Sequence, residues 1–391
     1  MNLAVEKYKN KITDQTICKK WNKLFRFLLT RIYEMTTFIL VLLLKVKPNW
    51  VKKSKLGEEA MLKFLRKITG TVILGVVVST APMVANAEMP VKPDGFPERP
   101  ITMIVPFGPG GGSDQMGRSI SGPMSDAMGV PIQVINKPGG GGRAALPDFM
   151  SAPADGYTLL QFSDDVFTHY PAGRIKENPT VDWTPIGLAN IVFSQIYMNA
   201  DDDRFSDWES FVAYAKNNEV TVANVSHKGS MELISISKIE EVEGIKTQQI
   251  SYDKPAERYA ALIGKHVDVL FEQPSDVSSF LDSGRIKPIL TILRNRPAAF
   301  PDVASLSDIG LDWAPLLRVR GIFVHGSVPQ ERKAYLEAAM KEAYETKEFQ
   351  GFLEKKFMTA IKSYSSSNEA TKIINDMIDT YRKAYKDLGI N

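Results

Sequence analysis

Pro106-Phe107-Gly108-Pro109-Gly110-Gly111-Gly112-Ser113-Asp114 is the stretch on which the reading of this chain turns. An apolar run, Ile101–Val105, precedes it and reads as a buried strand. The run Asp114–Met128 follows and reads as a helix that Gly129 ends. Glycines let a backbone approach a ligand closely and turn its N–H groups inward. The helix N-terminus behind them adds partial positive charge. Strand, glycine loop and helix together make an anion site that needs no charged side chain.

The pattern recurs one strand later. Ile132–Ile135 reads as a strand, and Asn136-Lys137-Pro138-Gly139-Gly140-Gly141-Gly142-Arg143 leads into a helical run over 143–151. Either loop alone is read as a tight turn. Two in equivalent positions point to carboxylate or phosphate recognition from two sides. Nucleotide binding fits poorly. No Gly-Lys-Ser/Thr follows either loop, and Ser113 stands where a dinucleotide fingerprint needs its third glycine.

Working outward, short apolar runs keep alternating with amphipathic ones. Strands are expected at 158–161, 220–225, 247–250, 267–271, 289–293 and 321–324. Helices are expected at 207–217, 231–241, 256–263 and 277–283, then at 330–346, 348–356 and 368–388. Alternation of this kind predicts parallel sheets covered on both faces. The strands are too many for one layer, so two α/β lobes are expected, with chain crossovers near 189–194 and 312–320. Ligands of open α/β sheets sit beyond the carboxyl ends of the strands, which places the site between the lobes.

Charge divides the chain differently. Of its 391 residues, the first 87 hold 16 Lys/Arg and 5 Asp/Glu; the remaining 304 hold 32 and 40. The formal +3 is therefore an average of +11 and −8, and support for a nucleic-acid or membrane-surface partner disappears with it. Lys63, Arg66 and Lys67, the apolar run 68–78 and Ala85-Asn86-Ala87 have the three-part layout of a secretory signal peptide. Residues 1–60 are read either as a leader of doubtful translation, with the start at Met61, or as a cytoplasmic extension. The expected exported chain has no Cys, since Cys18 is the only one, which excludes thiol nucleophiles and Cys-based zinc sites.

Other signals carry less. The four His (169, 227, 266, 325) lack metal spacing, and no Gly-x-Ser-x-Gly elbow marks a hydrolase. Asp164-Asp165 and Asp201-Asp202-Asp203 lack the pattern of a calcium loop and read as solvated turns. Tyr335, Tyr344, Tyr381 and Tyr385 stand at helical spacings and read as packing residues.

Three segments taken in order resemble one family: Arg99 through Asp114, Gly129 through Gly142, and Pro153-Ala154-Asp155-Gly156-Tyr157-Thr158-Leu159-Leu160. The likeness resumes at Tyr252, at Leu262-Ile263-Gly264-Lys265-His266-Val267-Asp268 and at Ser283-Gly284-Arg285-Ile286-Lys287-Pro288. It continues at Arg296-Pro297 and Phe300-Pro301-Asp302-Val303, and in the C-terminal helices. The chain resembles the Bug-type substrate-binding receptors of tripartite tricarboxylate transporters. The resemblance implies a type II periplasmic-binding-protein fold, two α/β lobes closing over a small organic carboxylate, with lobe 1 at 88–193 and 318–391 and lobe 2 at 194–317. It further implies a periplasmic, non-enzymatic, monomeric receptor without cofactor or metal that serves a two-component membrane permease.

Carried over by position, Phe107, Gly110, Gly111, Ser113 and Asp114 would line one wall of the cleft, and Gly140, Gly141 and Gly142 another. Ser226, Lys228 and Ser230 would come from a turn of the second lobe, with Tyr252 and the segment Phe271-Glu272-Gln273-Pro274 facing the same cleft. Two departures from the family stand out. Where many members have a Gly-rich Ser/Thr turn followed by His-Leu, this chain has His227-Lys228-Gly229-Ser230-Met231-Glu232-Leu233, and Lys228 reads as a partner for a second carboxylate or as a solvated surface residue. Arg320 precedes Gly321 where many members have Trp; the Arg-Gly pair resembles the tricarboxylate branch of the family, or Arg320 reads as a hinge-strand ion pair. Asp114 beside an anion would repel it; its plainer role is to satisfy loop N–H groups. A receptor feeding a sensor kinase, and an enzyme on the same fold, are the alternative functions.

Overall fold

The computed structural model describes residues 89–225 and 229–389; the expected leader and signal segment, Ser226, His227 and Lys228 lie outside them. Within the described residues the strands form two separate sheets. The first contains β1 (Ile101–Val105), β2 (Ile132–Asn136), β3 (Thr158–Ser163), β4 (Trp183–Val192) and β11 (Arg318–His325), in the order β2-β1-β3-β11-β4. The second contains β5 (Ser194–Asn199), β6 (Val220–Asn224), β7 (Thr247–Ser251), β8 (Val269–Glu272), β9 (Ile286–Ile292) and β10 (Ala304–Ser305), in the order β10-β9-β5-β8-β6-β7.

Both sheets are mixed, which corrects the expectation of parallel sheets. β1 is parallel to β2 and β3, and β6 to β7 and β8, but β11 runs against β3 and β4, and β5 against β8 and β9. The exceptions are the strands that arrive from the other lobe. Parallel strands of each lobe end at the cleft. A strand entering across the cleft starts there and must run the opposite way. β4 ends at Val192 in one sheet and β5 begins at Ser194 in the other, so the buried Phe193 alone makes that crossing.

Helices cover both faces of each sheet, as strands buried on both sides require. In the first lobe, α1 (Gly112–Met128), α8 (Gln330–Glu345) and α9 (Lys347–Lys355) pack on one face around Met116, Ile120, Leu336 and Met340. The short α2 (Leu146–Ser151) and α3 (Asp164–Thr168), with α10 (Ser367–Asp387), pack on the other around Phe149, Phe167 and Ile374. In the second lobe, α4 (Trp208–Ala215) and α5 (Met231–Glu243) cover one face, and α6 (Pro255–Ile263) and α7 (Ser278–Asp282) the other. Tyr381 and Tyr385 near the end of α10 join the core of the second lobe, and Tyr385 Oη donates to Gly229 O at 2.8 Å. No helix among the described residues is long and apolar enough to cross a membrane.

Candidate functional site: a clasped interlobe cleft

The glycine loop lies where the sequence places it, between β1 and α1. Gly110 takes φ +79°, a left-handed conformation that favours glycine. Its N–H donates to Asp114 Oδ2 (2.9 Å), and its carbonyl accepts from Gln115 Nε2 (2.8 Å), so the first turn of α1 closes the loop that precedes it. The N-cap of α1 is Gly111, which provides no side-chain cap. The leading N–H groups of the helix are left to face the cleft with the positive end of its dipole.

Across that end lies a cavity of about 40 Å³ between the two lobes, with Phe107, Gly111, Gly112, Ser113 and Ser163 on the first lobe's side. Pro255, Arg258, Glu272, Gln273 and Asp276 close it from the second lobe, and Arg318 and Arg320 enter from the crossing strand β11. The cavity holds a few water molecules, at roughly 10–15 Å³ each, and no organic acid. The lobes are therefore closed on one another. A Cβ on Gly111 would lie 2.8 Å from Pro255 Cγ. At its mouth the cavity shares Pro255 and Asp276 with an open groove of about 660 Å³, walled by Tyr259, Ile263 and Phe280.

Buried ion pairs clasp the cleft. Arg318 Nη1 donates to Asp164 Oδ1 (3.0 Å) and Asp165 Oδ2 (2.5 Å), and its Nη2 crosses to Glu232 Oε1 of the second lobe (2.5 Å). Arg320 Nη2 crosses to Asp276 Oδ2 (2.7 Å) and Gln273 Oε1 (3.0 Å). Arg258 grips Glu272 through Nε (2.9 Å) and Nη2 (2.5 Å). Asp164-Asp165 are thus no solvated turn: both are buried, and Arg318 draws them inward. Such pairs add little net stability against their desolvation, but they fix which surfaces meet. Burial alone would lower the Arg318 pKa; Asp164, Asp165 and Glu232 outweigh it and hold the guanidinium charged.

Burial pushes the Asp164 carboxyl up to about 7; Arg318 pulls it down, and Asp165 and Glu232 raise it further. In the unfolded chain this group ionises near its ordinary value of 3.8. Between those values folding takes up a proton, so stability falls as pH rises from about 4 to about 7 and levels off above. We expect Asp164→Asn to remove this slope, about a few kcal/mol across the window, because an amide reproduces the protonated acid's bonds to Arg318 and Tyr381. Melting temperature against pH from 5 to 8 checks it; an unchanged slope in the variant would refute the assignment.

The remaining expected residues fall into separate places. Phe107, Gly111 and Ser113 line the cavity, and Gly110 lines the outer groove. Asp114 does not reach either: its carboxylate accepts from Gly110 N–H, Arg118 Nε and Asn136 Nδ2, each at 2.9 Å. The second glycine loop stands behind the wall. A Cβ on Gly142 (φ +94°) would meet Val166 at 3.0 Å and Phe107 at 3.3 Å, so Gly142 seats Phe107. Gly141 O accepts from His169 Nε2 at 2.9 Å, and neither Gly140 nor Gly141 lines the cavity. Ser230 caps α5 through Leu233 N–H (3.3 Å), and Tyr252 supplies its carbonyl to Arg258 Nη1 (2.8 Å). Sequence reasoning missed Arg258, Asp276 and Arg318. Their only signal was the rarity of buried charge, which a sequence does not display.

Residues 116–390 match the sequence profile of the tripartite tricarboxylate transporter family receptors. The chain belongs to that family. This receptor is 26% identical to BugT of Bordetella pertussis over 242 residues, 61% of this chain and 73% of BugT. Its fold is shared by MatC of Rhodopseudomonas palustris, solved with bound malate: TM-score 0.66 at 22% identity, over 74% of this receptor and 99% of MatC. A second R. palustris protein, solved with adipate, superposes with TM-score 0.67 at 18% identity, over 75% and 98% of the two chains. At these identities the structures establish the type of fold: two α/β lobes about a cleft. Among the described residues no three His, Cys, Asp or Glu are grouped to hold a metal ion.

Proposed function

We propose that this receptor is periplasmic, exported through the segment 61–87, and captures a small organic carboxylate for delivery to a two-component membrane permease. The lobes are taken as 88–193 with 318–391, and 194–317. One observation carries the ligand class: the uncapped N-terminus of α1 and the buried guanidinium of Arg320, set side by side, both line a cavity between the lobes. Helix dipole and guanidinium both favour a carboxylate there. The malate and adipate of the two R. palustris structures support the same class. Phe107, Gly111 and Ser113 are proposed as wall residues, and Lys228 as a partner for a second carboxylate.

The test is a thermal-shift screen of residues 88–391 against malate, adipate, citrate and benzoate, with glucose and choline as controls. A ligand at 100 times its Kd adds about 2.7 kcal/mol. That raises the melting temperature by several degrees for a domain of this size. Shifts with the controls and none with the acids would overturn the reading.

A further inference from the structure

The carboxylate socket at α1 is already filled, by a side chain from the opposite lobe. Asp276 stands in the turn that follows β8, at 7% exposure, and reaches across the cleft to Arg320 Nη2 at 2.7 Å. A Cβ on Gly112 would overlap both of its oxygens, so the carboxylate rests directly against the first residue of α1. Ser275 Oγ steadies it from its own lobe, donating to Oδ1 at 2.6 Å. A carboxylate thus occupies the place where the helix dipole and Arg320 favour one.

A second, independent observation is that Arg320, which lines the cavity, and Asn190 beside it keep donors that Asp276 does not use. Arg320 Nε and Asn190 Nδ2 are both buried and have no hydrogen-bond acceptor among the described residues. The two residues are register partners on β11 and β4, and Arg320 Nη1 lies 3.3 Å from Asn190 Oδ1. Buried donors without acceptors are costly, which implies a state in which they are satisfied. The remaining cavity of about 40 Å³ leaves no room for an organic acid beside Asp276, so a ligand must take its place.

We infer that Arg320, Asn190 and the first turn of α1 form the carboxylate subsite of this receptor, and that Asp276 is a tethered carboxylate that fills it when no ligand is bound. This rests on the receptor reading above and adds the exchange. Ligand binding replaces one carboxylate by another, and the apparent affinity is reduced by the fraction of molecules in which Asp276 holds the socket.

The probe is sodium formate, the smallest carboxylate, against sodium chloride at equal ionic strength. Asp276→Ala should show a saturable rise in melting temperature with formate at millimolar concentrations. Wild type should respond no more than it does to chloride, and adding Arg320→Met to Asp276→Ala should abolish the rise. Equal responses of wild type and Asp276→Ala would overturn the inference. If Asp276→Ala does not fold, Asp276→Asn keeps the shape and removes the charge. Its ligand-free radius of gyration in small-angle scattering should exceed that of wild type, and an unchanged radius would overturn the inference. Should wild type bind an acid from the screen while Asp276→Ala ignores formate, the exchange falls and the receptor reading stands. A formate response by Asp276→Ala, with no acid bound by wild type, supports the socket and removes the receptor reading.

Discussion

Replacing Arg318 by Met should cost about 3–5 kcal/mol, the usual penalty for stripping the partner from buried charges. Arg318 is the only cation within hydrogen-bonding distance of Asp164 and Glu232 among the described residues, and it also holds Asp165. Methionine fills comparable space, so the loss is electrostatic and not a cavity. At about 2 °C or more per kcal/mol, the melting temperature should fall by roughly 6–15 °C at pH 8. The deficit should shrink at pH 5. Freed of the guanidinium that pulls it down, the Asp164 carboxyl takes up its proton at still higher pH, and that protonation relieves the repulsion within the cluster. Calorimetry at both pH values checks this. A loss below 1 kcal/mol at pH 8 would mean that the cluster is not closed in solution.

Gly112→Val should leave the fold in place and raise the Kd for any carboxylate bound by wild type at least 100-fold. Gly112 opens α1 without the positive φ that favours glycine, so a side chain there does not strain the helix backbone. The collision is with Asp276 and the Arg320 guanidinium. A valine holds the lobes apart and covers the leading N–H groups of the helix. Unchanged far-ultraviolet circular dichroism with lost binding by calorimetry is the expected pair of results. Wild-type affinity in the variant would place the ligand elsewhere.

The glycine loop was legible because nothing else explains it. Pro106 through Gly111 forms neither strand nor helix, and its glycines carry no side chain to pack, so they must serve a close approach. The alternation of strands and helices was legible for the same local reason. β4 and β5 were not. Their burial patterns are almost uninterrupted, and Pro185 and Gly187 sit inside β4, so neither alternation nor a clean boundary marks them. Strand direction was hidden too, since it follows from which lobe a strand arrives from. Asp164 and Asp165 read as solvated because their partner, Arg318, is more than 150 residues away in sequence. The second glycine loop was legible too, but not what its glycines touch: Gly142 lies against Phe107, which lines the cavity, while Gly140 lies against Arg143.

The two chain crossings meet at one place. Val192, the last residue of β4, is the register partner of Arg318, the first of β11. Turning the lobes about the line through both crossings asks only a few backbone dihedrals to change, while any twist across that line would shear the paired strands. On the receptor reading proposed above, opening would follow a single coordinate. One distance, measured between a label on each rim of the groove, is enough to report how far the molecule has opened, and a dye pair placed there would turn it into a ratiometric sensor for its own ligand.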